Sequence, residues 1–302
     1  MLNRANILLL SSVLTLSFFY GSSQPIKPDS IAYNPKRLRA VVISEAAIYA
    51  GSLYLLNDLW YKDYPRSSFH FFDDNKEWLQ MDKLGHATTS CTIGELGYEA
   101  LKWCGVENKK AIWYGGSLGS VYLLTIEILD GLSSEWGFSV GDFSANTFGS
   151  VVFMSQQFAW NEQRIKFRWS YHQTEFPDYS PALLGSNFQE SVLKDYNGQT
   201  YWLSANIFSF LKKDSRFPKW LNIAVGYGAE GMIGGYENPP SPMPHFNRYR
   251  QFYLSPDIDF TKIKTKSKFL KVVFYTLNSL KFPAPALEYS KEKNFRLKPL
   301  YF

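Results

Sequence analysis

The sequence predicts an α+β fold in which an N-terminal, membrane-like bundle of four helices packs with a C-terminal antiparallel β-sheet or half-barrel. Long apolar runs with helical spacing lie between residues 36 and 160, and a two-residue alternation begins after Arg164. Aromatic residues make up 18% of the 302 residues. Because aromatic rings collect where one side of a protein is apolar and the other is wet, this composition favours a membrane or lipid surface.

Residues 1–23 have the pattern of a cleavable secretory signal. Arg4 precedes an apolar stretch, which ends in the small residues Gly21, Ser22 and Ser23. The apolar stretch is shorter than the ~20 residues that a membrane span needs, which disfavours an uncleaved anchor. No cysteine stands at the expected cut, so the sequence does not indicate a lipid anchor there. Residues 24–35 are expected to be a proline-containing linker.

Residues 36–160 are expected to form the helical bundle. The four predicted helices run from about Lys36 to Trp60, Glu77 to Trp103, Lys109 to Leu132, and Ser139 to Trp160. Glycines in the third helix would let helix backbones approach closely. Cys91 and Cys104 fall about 20 Å apart on the second helix, beyond disulfide reach, so we expect two buried thiols.

Residues 161–302 are expected to be rich in β-strands. The predicted strands are Leu221 to Tyr227, Phe252 to Phe260, and the weaker Arg164 to His172, Thr200 to Ile207 and Phe295 to Phe302. Pro256 interrupts the second of these and favours an edge or a bulge, and Lys268 to Leu280 has the pattern of a short amphipathic helix. Five or six strands are too few for a barrel of at least about eight, so we expect a sheet or half-barrel.

The composition disfavours several classes of protein. The net charge of +5 is dispersed, without a basic run interleaved with aromatic residues, so nucleic acid is not an expected partner. The sequence has no phosphate-binding glycine loop or dinucleotide fingerprint, and we expect no nucleotide cofactor. It also has no nucleophile elbow, so covalent catalysis has no local support.

The sharpest local pattern is Asp82-Lys83-Leu84-Gly85-His86 on the second helix. The four-residue spacing places the Asp82 carboxylate and the His86 imidazole on one helix face, with Lys83 beside them. Such a pair is able to orient the imidazole for acid–base chemistry or to form half of a metal site. The alternative is a purely structural ion pair or a hydrogen-bonded histidine in a polar seam.

Two further groups of polar residues follow. Glu127 and Asp130 lie on one face of the otherwise apolar third helix, where carboxylates are costly unless they are paired or face a cavity. The candidate partners are Lys83, His86 or a bound divalent metal ion. Ser139 and Asp142 form either a capping box or, together with Asn146, one side of a polar pocket. The candidate metal ligands are therefore His86, Glu127, Asp130 and Asp142.

Taken in order, these three elements resemble the YfiM-type family of predicted periplasmic (lipo)proteins of unknown function, and remotely the VanZ-like membrane proteins. The resemblance covers roughly residues 36–160 and rests on Asp82-Lys83…His86, Glu127…Asp130 and the segment from Gly137 to Gly149. It implies an envelope address and a polar site within the bundle. The chain lacks a lipobox cysteine and carries a long β-rich tail, similar to extended members in the Bacteroidetes group.

Two functions are expected on these grounds. The first is a non-catalytic protein on the periplasmic side of the outer membrane, or embedded in it, that associates with membrane lipid or an envelope protein. The second is a metal- or His-dependent hydrolase or transferase acting on a lipid or cell-wall precursor. In the second, His86 is the acid/base, Asp82 orients it, and Glu127, Asp130 and Asp142 hold an ion or water.

Overall fold

The computed structural model describes residues 32–62, 64–240 and 244–302. The predicted signal peptide at residues 1–23 and most of the predicted linker lie outside them. The chain divides into two compact units. The first, which we call the helical unit, comprises the described residues up to Asp74 together with Thr89–Glu162; the second, the sheet unit, comprises Asn75–Thr88 and the described residues from Gln163 to Phe302. The predicted α+β class is confirmed.

Helices occupy most of the helical unit. They are α1 (Pro35–Leu56), followed by a π-helical turn (Asn57–Tyr61), α2 (Met81–Trp103), α3 (Asn108–Gly116), α4 (Leu118–Asp130) and α5 (Val140–Trp160). Helix α2 begins in the sheet unit and continues in the helical unit from Thr89. The third predicted helix is wrong in one respect, because it is two helices that meet at Ser117, directly after the glycine pair that ends α3. The packing of these helices as a four-helix bundle stays a prediction.

The helix starts follow from local capping chemistry. Asn34 Oδ1 accepts hydrogen bonds from the backbone amides of Lys36 and Arg37 at 3.1 and 3.0 Å, and Pro35 occupies the first turn of α1. Ser139 Oγ accepts from the Asp142 amide at 3.0 Å at the start of α5. The predicted N-cap at Ser139 is therefore confirmed.

A six-stranded antiparallel sheet, ordered β1 to β6 as in the chain, forms the frame of the sheet unit. The elements are β1 (Ile165–Tyr171), α6 (Pro181–Leu184), α7 (Phe188–Lys194), β2 (Gln199–Asn206), β3 (Leu221–Glu230), β4 (Tyr249–Ile258), α8 (Lys268–Leu277), β5 (Ala284–Ser290) and β6 (Asn294–Tyr301). The first turn of α2 packs in this unit through Met81, which belongs to a core cluster with Tyr201, Ala229 and Met232. Curvature into a half-barrel stays a prediction.

The structure adds one strand and corrects the expectation about Pro256. Strand β5 was not among the predicted strands, and Pro283 and Pro285 locally disfavour a strand, yet it pairs with both β4 and β6. The expectation that Pro256 marks an edge strand or a bulge is wrong: β4 lies between β3 and β5, and its register with β3 runs through Pro256, opposite Ile223, without a shift. The register of β4 with β5 covers Gln251–Leu254, and Pro256 lies beyond it, where a missing N–H removes no bond to β5.

The sheet register aligns residues of one kind across the strands. One residue per strand, from β1 to β6, forms the row Phe167, Leu203, Val225, Leu254, Leu287 and Leu297; we call the last five the aliphatic row. Two residues along each strand, on the same face, lies the aromatic row of Trp169, Tyr201, Tyr227, Phe252, Tyr289 and Phe295. The intervening positions include the buried Arg168, Trp202, Tyr253 and Glu288.

Candidate functional site

The predicted Asp82 and His86 pair lies at the start of α2, within the sheet unit. His86 Nε2 is 3.7 Å from Asp82 Oδ1, and Lys83 Nζ is 3.2 Å from Asp82 Oδ2. Tyr196 Oη donates a hydrogen bond to Asp82 Oδ1 at 2.7 Å. Asp82 therefore stands between an imidazole, an ammonium group and a phenol. Sequence reasoning missed Tyr196, which is more than a hundred residues away along the chain.

The surroundings of Asp82 favour its ionised form. Burial raises the pKa of this carboxyl, but His86 and Lys83 and the hydrogen bond from Tyr196 outweigh burial, and the pKa lies below its usual range. A carboxylate in this state is able to hold the adjacent imidazole in one orientation. An imidazole and a carboxylate are also a plausible start of a metal site, but the Lys83 ammonium beside Asp82 disfavours a second cation there.

A left-handed turn leads directly into this cluster. Trp78, Leu79 and Gln80 have φ angles of 47°, 50° and 68°, although none of them is glycine. For such residues the left-handed region costs about 1–2 kcal/mol each, so other contacts must hold the turn. The Trp78 amide donates to Gly235 O at 2.9 Å, Tyr227 Oη donates to Leu79 O at 2.5 Å, and Arg250 donates to Gln80 Oε1 at 2.6 Å.

Gly85 lets a sheet tyrosine approach α2 beside the Asp82 cluster. A Cβ at Gly85 would stand 2.9 Å from Tyr201 Oη. That hydroxyl donates to Gln199 Oε1 at 2.6 Å, and burial, with Asp82 nearby, raises the pKa of Tyr201. The phenol therefore stays protonated. The glycine between Asp82 and His86 thus has a steric explanation that needs no ligand.

The helical unit holds a second polar cluster, around Ser139 at the start of α5. The Ser139 amide lies 3.4 Å from Glu127 Oε2 and donates to it, and Ser139 Oγ donates to Asp74 Oδ1 at 2.5 Å. Asp74, Glu127, Ser139 and Asp142 are all buried. Besides capping the Asp142 backbone amide, Ser139 therefore joins two acidic side chains, those of Glu127 and Asp74. Sequence reasoning missed Asp74.

A run of serine hydroxyls continues this cluster along α5. Ser90 Oγ on α2 and Ser120 Oγ on α4 both donate to the Asn146 backbone carbonyl, at 2.6 and 2.8 Å. Ser90 Oγ also lies 3.0 Å from Ser150 Oγ. We call Ser90, Ser120, Asn146 and Ser150 the serine seam. The serine seam joins α2, α4 and α5. The sequence feature that could have predicted it is the recurrence of small residues near glycines in these helices.

Asp130, at the end of α4, has a partner that the sequence did not indicate. Tyr61 Oη donates a hydrogen bond to Asp130 Oδ1 at 2.6 Å. Burial, followed by the charge of Asp130 and this hydrogen bond, raises the pKa of Tyr61, so the phenol remains a neutral donor. The two acidic residues of α4 thus accept hydrogen bonds from different donors: Glu127 from the Ser139 amide and Asp130 from the Tyr61 hydroxyl.

The predicted site residues therefore fall into two sets. Asp82, Lys83 and His86 belong to the sheet unit, whereas Glu127, Asp130, Ser139, Asp142 and Asn146 belong to the helical unit. In the helical unit, Glu127 and Asp142 are buried carboxylates of a kind able to ligate a hard cation. Metal binding stays a prediction.

Two helical stretches are long and apolar enough to cross a membrane when judged by length and composition alone. One is Pro35–Leu56, with 6% of its most apolar window buried, and the other is Asn108–Gly131, with 33% buried. The mostly buried core helices of soluble proteins and signal sequences near an N-terminus pass the same test. Both stretches lie in the helical unit.

Together these features define a protein of α+β class with polar clusters inside and apolar residues at the surface. Residues 70–156 match a family described as "Predicted periplasmic lipoprotein (DUF2279)". The matched segment contains all eight predicted site residues and supports a cell-envelope location. No curated protein and no solved structure matches the chain.

Proposed function

We propose that this chain is a non-catalytic cell-envelope protein that associates with the lipids of the outer membrane through apolar surfaces, while its polar side chains face inward. The main support for the proposal is the distribution of side chains on the sheet, which is the reverse of that in a water-soluble protein. In a water-soluble antiparallel sheet with one solvated face, the apolar residues face the core and the polar ones face water.

Here the aliphatic row is exposed on every strand from β2 to β6, as are Phe252, Tyr289 and Phe295 of the aromatic row. The opposite face buries charged groups. Arg168 Nε lies 3.1 Å from Asp257 Oδ2, and both side chains are fully buried. Glu288 is also buried and lies 3.4 Å from the Lys298 ammonium. Aliphatic side chains outside, bordered by aromatic ones, with polar groups inside, are the pattern of sheets that contact lipid.

The helical unit repeats this polarity. Large apolar side chains are exposed on α3 to α5; they include Trp113, Tyr114, Val121, Phe148 and Val151. The buried positions of α4 and α5 include Glu127, Asp142, Asn146 and Ser150. Exposed apolar patches of this extent mark a contact with a membrane or a partner. We favour contact with lipid over contact with a partner protein, because both units have apolar side chains outside and polar ones inside.

The polar clusters support a structural role. Asp82 has three neighbouring polar groups, and Ser139 joins Glu127 to Asp74. Breaking one member of such a cluster leaves buried charge uncompensated, which costs stability. A second candidate function, a His-dependent hydrolase or transferase with a lipid or cell-wall substrate, is favoured by the 3.7 Å approach of His86 to Asp82. It predicts that His86→Ala leaves the protein folded but abolishes turnover, whereas a structural role predicts a loss of stability.

Liposome flotation tests the membrane proposal. The full chain should float with vesicles of phosphatidylethanolamine and phosphatidylglycerol, and the double variant Val225→Glu/Leu254→Glu should stay at the bottom of the gradient. The matched control is Gln173→Glu/Gln189→Glu, which adds the same charge at exposed polar positions of the sheet unit. Flotation of both double variants to the same extent would contradict the proposal.

A further inference from the structure

A cavity of about 730 Å³ opens on the helical unit, bounded by α1, α2, the loop after α2, and the α3 and α4 pair. Its apolar walls include Leu38 and Val42 of α1, Leu101 of α2, Val106 of the loop, and Leu118 of α4. Cavities that take a small molecule measure about 300–1,000 Å³, so this volume suits one ligand.

Tight backbone contacts occur at two glycines of the cavity lining, Gly105 and Gly115. A Cβ at Gly115 would stand 2.3 Å from the Tyr98 amide nitrogen, so α3 touches α2 at the level of the main chain. Gly105, at φ 77°, turns the chain after α2, and a Cβ there would lie 2.5 Å from Ala32 O. Main-chain contacts therefore fix the cavity lining at these two glycines.

The charged groups in the lining define which head group fits. The lining holds Glu45, Glu107 and Lys110, which sum to one net negative charge. Lys110 Nζ lies 3.4 Å from Glu107 Oε2, and these two charges offset each other. The Arg37 guanidinium, on the same helix as Glu45, lies over the Trp103 ring at 4.7 Å and donates to Trp103 O at 3.3 Å. The remaining acidic group, Glu45, favours a cationic partner over an anionic one, and an ammonium group beside it would counteract the burial that raises the pKa of this carboxyl.

We propose that this cavity binds the acyl chain of one lipid whose head group carries an amine, with the Glu45 carboxylate receiving the ammonium group. Phosphatidylethanolamine and its single-chain derivative have this chemistry. The inference deepens the proposed function, since it names a lipid class. It is tested in detergent micelles without a bilayer, so its failure leaves the association of the protein with membranes to the flotation test.

Native mass spectrometry of the full chain, released from micelles, measures the binding. The protein is mixed with lysophosphatidylethanolamine or, separately, with the free fatty acid of the same chain length. We expect one adduct per chain with the lysolipid, at several-fold higher occupancy than with the fatty acid. Glu45→Gln should reduce this preference at least threefold.

A pair of neighbouring substitutions locates the ligand. Val42 lines the cavity and is 52% exposed, so Val42→Trp fills the cavity without disturbing a core position. It should lower adduct occupancy at least fivefold. Ile43, the adjacent residue, is 61% exposed and lies outside the cavity lining, so Ile43→Trp is the matched control and should bind as the unaltered protein does. Equal occupancy in the Val42 and Ile43 variants, or equal binding of fatty acid and lysolipid, would overturn the proposal.

Discussion

Gly119 of α4 lies directly against Ser90 of α2. A Cβ on Gly119 would stand 2.1 Å from the Ser90 carbonyl oxygen and 2.7 Å from the Ser90 Cα. The Ser90 hydroxyl in turn donates to the Asn146 carbonyl of α5. Close backbone approach at Gly119 therefore brings the hydroxyls of the serine seam within reach of their acceptors.

This contact predicts that Gly119→Ala destabilises the protein. The new methyl group meets main chain, which cannot rotate away, and overpacking of this kind costs about 1–3 kcal/mol or more. Chemical unfolding in detergent, followed by circular dichroism, measures the change. Gly51→Ala is the control, because a Cβ at Gly51 in α1 meets nothing within 4 Å. There alanine should be neutral or stabilising, by up to about 1 kcal/mol. Equal effects at the two glycines would contradict the contact.

A second prediction concerns Asp82 and acid. Its folded pKa is below the unfolded value, so its interactions stabilise the fold above about pH 4 and are lost as pH falls through the folded pKa. Asp82→Asn should therefore lower the free energy of unfolding by about 1–3 kcal/mol at pH 7. The difference from the unaltered protein should shrink below about pH 4.

Thermal unfolding between pH 3 and 8 measures this difference. Tyr196→Phe, which removes the hydrogen bond to Asp82 and keeps the ring, should show a smaller loss in the same pH window. A gap between Asp82→Asn and the unaltered protein that stays constant down to pH 3 would show that the carboxylate charge contributes nothing.

A third prediction concerns the stability of variants in the left-handed turn before α2. Gln80→Gly and Gln80→Ala both remove the contact with Arg250, but only glycine adopts a φ of 68° without strain. The glycine variant should be more stable than the alanine variant by about 1 kcal/mol. At Ser144, an exposed position inside α5, the order should reverse, with alanine the more stable by about 1 kcal/mol. The same order at both positions would contradict the left-handed conformation.

Much of the fold is encoded in local patterns. The cap at Ser139, the apolar runs of α1 and α5, and the alternation in β3 each depend on neighbours in the sequence, so each was predictable. The break at Ser117 was not predicted, since apolar residues continue on both sides of it. Strand β5 was missed because pairing with β4 and β6 stabilises it, and these tertiary contacts cannot be inferred from the local sequence. The local sequence contains Pro283 and Pro285, which disfavour a strand.

The candidate site was predictable in its acidic members but not in their partners. Asp82, Glu127 and Asp142 stand out because carboxylates are conspicuous within apolar helices. Tyr196, Tyr61 and Asp74 do not, since nothing near them in the sequence indicates which carboxylate or hydroxyl they meet. The left-handed turn was also missed, because Trp78, Leu79 and Gln80 have side chains that ordinarily avoid that conformation.

We propose that the exposed face of the sheet contacts lipid hydrocarbon. The most direct measurement attaches a fluorophore to a cysteine introduced at Val225 and, separately, at exposed Lys213, then records quenching by brominated lipids in vesicles. The native Cys91 and Cys104 are both buried, which limits background labelling. A lipid-contacting sheet face should give strong quenching at position 225 and little at position 213. Equal, weak quenching at both positions would contradict it.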